Sequence, residues 1–432
     1  MKLARTRTTP IATVGVVLAL GVGLAACAGG DTGGDAPKEI NLYVTSHPWS
    51  EALVAHIPEY EKETGVTVKV TQLEQQQLED QASVRLNAGS TDIDVLMYRP
   101  LQVNTLYGQN GYLADLTDYI AKSPEWDWKD YVPAAQQLVE YNNQTLGVPV
   151  TSETMAIFYR KDLLQKAGLA VPTTIDELVE AAAAIKAQNP GTAGFISRTT
   201  AAGANTPFAS FLFAYGGNWQ EDGKSKIDTP EAVDAYQVYA DLIRKYGPDN
   251  VSTDMEWTDA DALFAAGKSG FLEETSSNYN TFADPSSSQV VDTFGVIPFP
   301  EGPAGDGRVF TAAYSLGISQ FSTKKDQAWD FIKWATSPEM TATLTKENAL
   351  GMRSSSLTEE ALANLPQDLQ QTIIQSMNGT PFNKPTGVVQ VTKALEIVGS
   401  PVVEGIQGNS VRDAAVAASK QYQALLDEDA DK

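Results

Sequence analysis

His47 and His56 are the only histidines in the chain, and Cys27 is the only cysteine. Imidazole chemistry therefore has two candidates, and no intramolecular disulfide can form. The sequence holds no CxxC pair, no HExxH, no Walker-type loop and no Gly-x-Ser-x-Gly elbow. Adjacent carboxylates such as Glu273-Glu274 could in principle flank a glycosidic bond. With 54 acidic residues in the chain, such pairs arise by chance and do not argue for catalysis.

Capture of a polyhydroxylated molecule asks for something different. It needs flat aromatic faces for C–H surfaces and planar polar groups for hydroxyls. His47 and Trp49 follow the strand-like stretch Ile40 to Ser46. Tyr98 and Arg99 close a second such stretch that begins at Asp94. Tyr98 fits a core position equally well. Arg99, next to a proline, offers a bidentate fork.

These residues need a frame, and periodicity supplies one. Ser50 to Thr64 places Leu53, Val54, Ile57 and Tyr60 on one helical face, with Pro58 expected to kink the helix and Gly65 to end it. Val66 to Val70 alternates as a strand, and Gln77 to Ala88 reads as a helix. The order β-α-β-α-β specifies a parallel sheet with right-handed crossovers. Ligands of such sheets lie beyond the carboxyl ends of the strands. That rule marks three loops: Ser46 to Trp49, Gln72 to Gln77, and Tyr98 to Pro100.

Further along, Met155 to Tyr159 is an apolar strand, and a short helix after it should stop at Gly168. Thr174 and Glu177 form a capping box, and Gly194 to Ile196 is a short strand. A helix is expected over Pro207 to Tyr215, and Asp222-Gly223 reads as a hairpin turn. Thr229 caps a helix with Pro230 at its first position. Helices over Asp259 to Ala266, Asp326 to Ala335 and Pro338 to Glu347 follow, the last capped by Ser337.

The 432 residues suffice for two or three lobes, and the net charge of −23 argues against a nucleic-acid surface. Lys2, Arg5 and Arg7 precede an apolar run that ends in Leu24-Ala25-Ala26-Cys27. This is an export signal that resembles a bacterial lipobox. It implies cleavage before Cys27, lipidation of that cysteine and anchoring to the outer face of a membrane. A plain signal peptide with a chance cysteine is the alternative. Residues 28–37, rich in Gly and Asp, read as a flexible tether.

The stretch Leu146 to Ala181 carries the most specific wording: Gly-Val-Pro, then Tyr159-Arg160-Lys161-Asp162-Leu163, Ala167-Gly168 and Pro172-Thr173-Thr174. Gly111 to Thr117, Phe264 to Lys268, Ile297 to Pro303, Ala328 to Trp334 and Thr336 to Glu339 add matching phrases in the same order. Together they resemble the extracellular solute-binding proteins of carbohydrate ABC transporters, the maltose-binding-protein-like superfamily. The resemblance covers nearly the whole mature chain.

It implies an α/β, periplasmic-binding-protein-like (type II) fold of two lobes, joined by a multi-crossing hinge with the ligand cleft between them. The lobes would be 38–150 with 313–350, and 151–312 with 351–432, with a return of the C-terminal helices to the first lobe as the alternative. Crossings are expected near Val148 to Glu153, Ala313 to Leu316 and Gly351 to Arg353.

The resemblance places ligand contacts at His47, Trp49, Tyr98 and Arg99, and a hydroxyl acceptor at Glu153, whose alternative is a solvated loop charge. Asn205 and Thr206 would face the cleft from a helix start. Trp257 would stack on the ligand or pack between helices. Glu274, Ser277 and Tyr279 occupy a segment where relatives place tryptophans, which points to a more polar pocket. Tyr314 and Arg353 flank the second and third crossings. A small-molecule carbohydrate and ABC permease subunits are the implied partners, the protein is expected to be a monomer, and no cofactor is implied. A non-sugar charged metabolite, kept open by Arg99 and Arg353, a structural lipoprotein and a secreted glycosidase are the alternatives.

Overall fold

A computed structural model describes residues 38–151, 153–311, 314–347, 349–376, 384–385 and 388–430. The expectations for the export signal, Cys27, the tether and Ala313 lie outside these residues.

The first lobe begins with β1 (Glu39–Thr45), α1 (Pro48–Thr64), β2 (Thr67–Leu73), α2 (Gln75–Asn87) and β3 (Val95–Tyr98). All three strands are parallel, because each is followed by a helix that carries the chain back along the sheet. Leu53, Ile57 and Tyr60 of α1 are buried as their spacing requires, and the helix continues through Pro58. Strand β4 (Val148–Pro149) joins the far side of this sheet.

The second lobe is built on β5 (Glu153–Arg160). Met155 and Ile157 face one apolar core while Ala156 and Phe158 face another, so both sides of the strand are covered. This explains its unbroken apolar run. Strand β6 (Ala193–Ile196) and helices α3 (Ala201–Ala214), α4 (Pro230–Tyr246) and α5 (Trp257–Ala265) precede β7 (Ser269–Thr275) and β8 (Phe294–Pro298). The sheet order is β8-β5-β7-β6, with β7 antiparallel to β5 and parallel to β6. Strand β9 (Ser315–Ile318) then returns to the first lobe and inserts between β3 and β4, antiparallel to both.

Gly147 sits at the crossing between the lobes. A Cβ there would come within 2.7 Å of the Tyr98 hydroxyl and 2.9 Å of the Leu316 carbonyl, so only glycine lets β4 lie this close to β9. The first lobe is completed by α6 (Lys325–Ala335) and α7 (Pro338–Lys346). The long C-terminal helices α8 (Val391–Ile406) and α9 (Val411–Ala430) pack on the second lobe, α8 against α3 and α4. Among the described residues no helix is long and apolar enough to cross a membrane.

The expected caps are present. Gly168 takes the left-handed conformation at φ 70°, and both bonds of the Thr174–Glu177 box form. Asp222 and Gly223 both have positive φ, as a tight hairpin turn requires. Ser337 accepts from the Met340 amide at 3.1 Å. Ser337→Ala should lower stability by about 1 kcal/mol and Ser337→Gly by only a few tenths. Urea unfolding of the two variants gives the comparison, and equal midpoints for Ser337→Ala and the parent would remove the cap from the account.

The helix expected from Pro207 starts earlier, at Ala201, with Thr200 as its cap accepting from Gly203. Pro207 therefore lies inside the helix, and Asn205 and Thr206 are mid-helix rather than at its start.

Candidate functional site

Strand ends of both lobes deliver polar side chains to one region. His47, the residue before α1, turns Nδ1 toward the Trp49 amide at 3.1 Å, which caps the helix. Its other nitrogen lies 3.8 Å from a Glu153 oxygen. His47 belongs to the first lobe and Glu153 opens β5 in the second, so the pair spans the two. The same Glu153 oxygen accepts from the Ser277 hydroxyl at 3.2 Å. Tyr314, just ahead of β9, packs its ring 4.8 Å from His47. Burial pushes the Tyr314 phenol up to about 12, with Glu153 and Glu79 adding to the rise and Arg99 opposing it. Tyr314 therefore keeps its proton and can donate to a ligand.

Arg99 is already engaged. Its Nε donates to Glu79 at 2.7 Å, and an Nη contacts the same oxygen at 2.6 Å. Glu79 lies on α2, just past the second loop that the strand-end rule marked. On the opposite lobe Arg198 grips Glu274 through Nε at 2.8 Å and through a second, shorter bond from Nη2. Glu274 is fully buried, and its Oε1 also accepts from the Thr275 amide at 2.9 Å. Lys384 stands half-buried among Arg99, Arg198, Glu79 and Glu153. Burial first, then the two guanidinium groups, bring its ammonium down to about 7.

His47, Arg99, Glu153, Ser277, Glu274 and Tyr314 are thus brought together. Others proposed from sequence are not. Trp49 is core, 2% exposed, because the start of α1 turns it under the helix. Tyr98 is also core, its hydroxyl donating to Asn104 at 3.2 Å. Asn205 is buried beneath α8, where its amide donates to the Leu395 carbonyl at 2.8 Å, and Thr206 is buried beside it. Tyr279 leans on Phe294, ring centroids 4.9 Å apart, rather than facing a ligand. Trp257 opens α5 and is 49% exposed, which excludes the inter-helix packing alternative.

Arg353 is the clearest correction. It is fully buried within the first lobe, donating to the carbonyls of Thr336, Trp126 and Asp127 and reaching Asp130 at 3.3 Å. Its guanidinium lies 4.6 Å from the Tyr131 ring centroid. Fully buried, it is out of a ligand's reach.

Sequence reasoning missed Glu79, Arg198 and Lys384. Arg198 had a usable signal: it follows the carboxyl end of the Gly194 to Ile196 strand, where the same rule that marked Arg99 applies.

Residues 46–342 match the family described as bacterial extracellular solute-binding protein. The chain belongs to that family. Among related solute-binding proteins, the mannitol-binding protein of Pseudomonas aeruginosa is 26% identical over 341 residues, covering 74% of this chain and 77% of that protein. Maltose-bound MalE3 of T. maritima is 26% identical with a TM-score of 0.75, covering 90% of this chain and 99% of that one. A ribitol-bound ABC transporter solute-binding protein of Agrobacterium radiobacter has the same fold, with a TM-score of 0.76 at 24% identity and coverage of 90% and 98%. The solute-binding proteins in this comparison share the two-lobed type II architecture found here.

Proposed function

We propose that this solute-binding protein captures an uncharged polyol or small sugar between its lobes and delivers it to an ABC permease. The observation that carries this is Glu153 of the second lobe standing 3.8 Å from His47 of the first. A hydroxylated molecule entering there can bond to both lobes at once. Carboxylates accept from hydroxyls, the Tyr314 hydroxyl donates, and the Ser277 oxygen can accept. Arg99 and Arg198 are each already neutralised by a carboxylate, which favours an uncharged ligand over an anion. The mannitol-binding relative supports the same class.

Ligand contacts to both lobes shift an open–closed equilibrium, and the closed form is what the permease recognises. Glu153→Ala should cost about 1.5–3 kcal/mol of binding free energy, on the order of ten- to a hundredfold in affinity. Glu153→Gln keeps an acceptor and should lose less. Calorimetric titration with D-mannitol and maltose, with small-angle scattering of the same samples, tests both halves. Unaltered affinity in Glu153→Ala makes the residue a solvated charge, and an unchanged radius of gyration at saturation removes the closure.

The protein acts as a monomer outside the cytoplasm, held to the membrane by lipid on Cys27. Supporting this are the family's extracellular character and the Leu24-Ala25-Ala26-Cys27 sequence. Mass spectrometry of the mature N-terminus should find acyl groups on Cys27; an unmodified or absent Cys27 counts against the anchor.

A further inference from the structure

Beneath the ligand-facing turn of the second lobe, two buried carboxyl groups, Glu274 and Asp261, have one guanidinium near them, that of Arg198. Glu273 and Glu274 are consecutive on β7 and point to opposite faces of the sheet, yet both are fully buried. Glu273 lies on the face covered by α3 and α4, where burial holds its proton far above the usual carboxylate range. Glu274 lies on the face covered by α5, paired with Arg198. Asp261 projects from α5 onto that same face and is 5% exposed. Its Oδ2 accepts from the Asn278 amide at 2.8 Å. Its Oδ1 is buried with no hydrogen-bond partner among the described residues.

The groups around Asp261 set its behaviour. From β7 it meets the Glu274 carboxylate, and from the segment after β6 the Arg198 guanidinium. At the start of its own helix, Glu256 and Asp259 cap each other and are exposed. The short helix Tyr279–Ala283 also packs against α5, and its one titratable group, Tyr279, is pushed up to about 12 and stays neutral. Burial, with Glu274 beside it, raises the Asp261 carboxyl to about 7; Asn278 and Arg198 only partly oppose this.

The turn above is wired to this cluster at two points. Asn278 holds Asp261 directly. Glu274 holds the Thr275 amide, Thr275 Oγ1 lies 2.9 Å from the Ser277 hydroxyl, and Ser277 donates to Glu153. A proton on Asp261 leaves Arg198 to Glu274 alone. Its loss sets a second buried carboxylate against Glu274, with a single guanidinium between them.

We propose that Asp261 is a proton-dependent positioning residue for the turn 275–278, so that ligand capture weakens as the pH rises past neutrality. This rests on the proposed function for the affinity it predicts, but not for the motion of the turn. The experiment separates the two. In a pH titration by NMR, the Thr275 amide of the unliganded protein should move with a midpoint near about 7. In Asp261→Asn, which keeps size and shape, the transition should vanish. A Thr275 amide that does not titrate, or titrates identically in the variant, overturns the proposal. Should the variant fail to fold, the carboxyl carbon of Asp261 in the parent is followed instead, and a midpoint below 5 overturns it equally (about 3.9 is the ordinary value).

In parallel, the dissociation constants for D-mannitol and maltose are measured between pH 6 and pH 8.5. For whichever binds, the parent should weaken by about fivefold more than Asp261→Asn, within the usual range of coupling between sites; the dependence left in Asp261→Asn is that of the cleft's other groups, Lys384 among them. A parent affinity that follows pH no more steeply than the variant's overturns the positioning role. Absence of binding by either probe refutes the proposed ligand class, while the Thr275 titration still decides the proton dependence.

Discussion

Arg353→Ala should destabilise the protein by about 3–5 kcal/mol, the usual cost of breaking a buried charged pair. Arg353 has no exposed surface, and it donates four hydrogen bonds to fixed acceptors: Thr336 O at 2.8 Å, Trp126 O at 2.7 Å, Asp127 O at 3.1 Å and Asp130 at 3.3 Å. It ties the segment Trp126 to Tyr131 to the end of α6, two parts of the first lobe distant in sequence. Alanine leaves buried carbonyls unpaired and opens a cavity between the Trp126 and Tyr131 rings. Lysine should rescue little, because a point charge cannot serve acceptors arranged around a planar fork. Denaturant unfolding of the two variants is the measurement. A midpoint for Arg353→Ala equal to the parent's would mean that the side chain is solvated and that the ligand role expected from sequence must be reconsidered.

Removing Arg198 should damage stability and binding together. Glu274 would be left fully buried with no cation, beside Asp261 and on the strand that carries Glu273. The stability loss in Arg198→Met is expected at about 3–5 kcal/mol. The informative variant is the double substitution Arg198→Met with Glu274→Leu. It removes both charges and should recover most of the lost stability. It should not recover binding, because the Thr275 amide loses its acceptor and the cleft loses a donor. Thermal melting and titration with D-mannitol on the single and double variants give the two readouts. Recovery of both would make the pair a packing device with no part in capture.

Local chemistry made much of the frame legible. Gly168, the Thr174–Glu177 box, Thr229 and Ser337 each act within a few residues of themselves, so their roles follow from spacing alone. The parallel β1-β2-β3 arrangement followed from alternating strand and helix periods. Residues whose role depends on what folds against them were harder. Trp49 and Tyr98 lie at strand ends, as ligand aromatics would, and only the packing of α1 and of Asn104 turns them inward. Asn205 depended on a helix start that Thr200 moves back ahead of Pro207, and on α8 arriving from the far end of the chain. Arg353 looked like a free cation because three of its four acceptors are backbone carbonyls, which leave no trace in residue type. Glu153 and His47 were legible because a strand end and a crossing placed both, whatever the loops did.

The position of β9 bears on how the chain assembles. It fills the gap between β3 and β4, and Val95 pairs with Ile318 across more than half the chain length. Until that late segment exists, β3 presents an unsatisfied edge and the first lobe lacks its middle. The second lobe has four of the five strands of its sheet in hand by Pro298 and the last, Phe310–Thr311, before β9 begins. During synthesis or threading from the N-terminus, the half that begins the sequence is therefore the half that finishes last. Such non-local closure is slow, and it leaves an edge open to the wrong partner in the interval. A protein cut between β8 and β9 would forfeit its first lobe even though most of that lobe's residues remain.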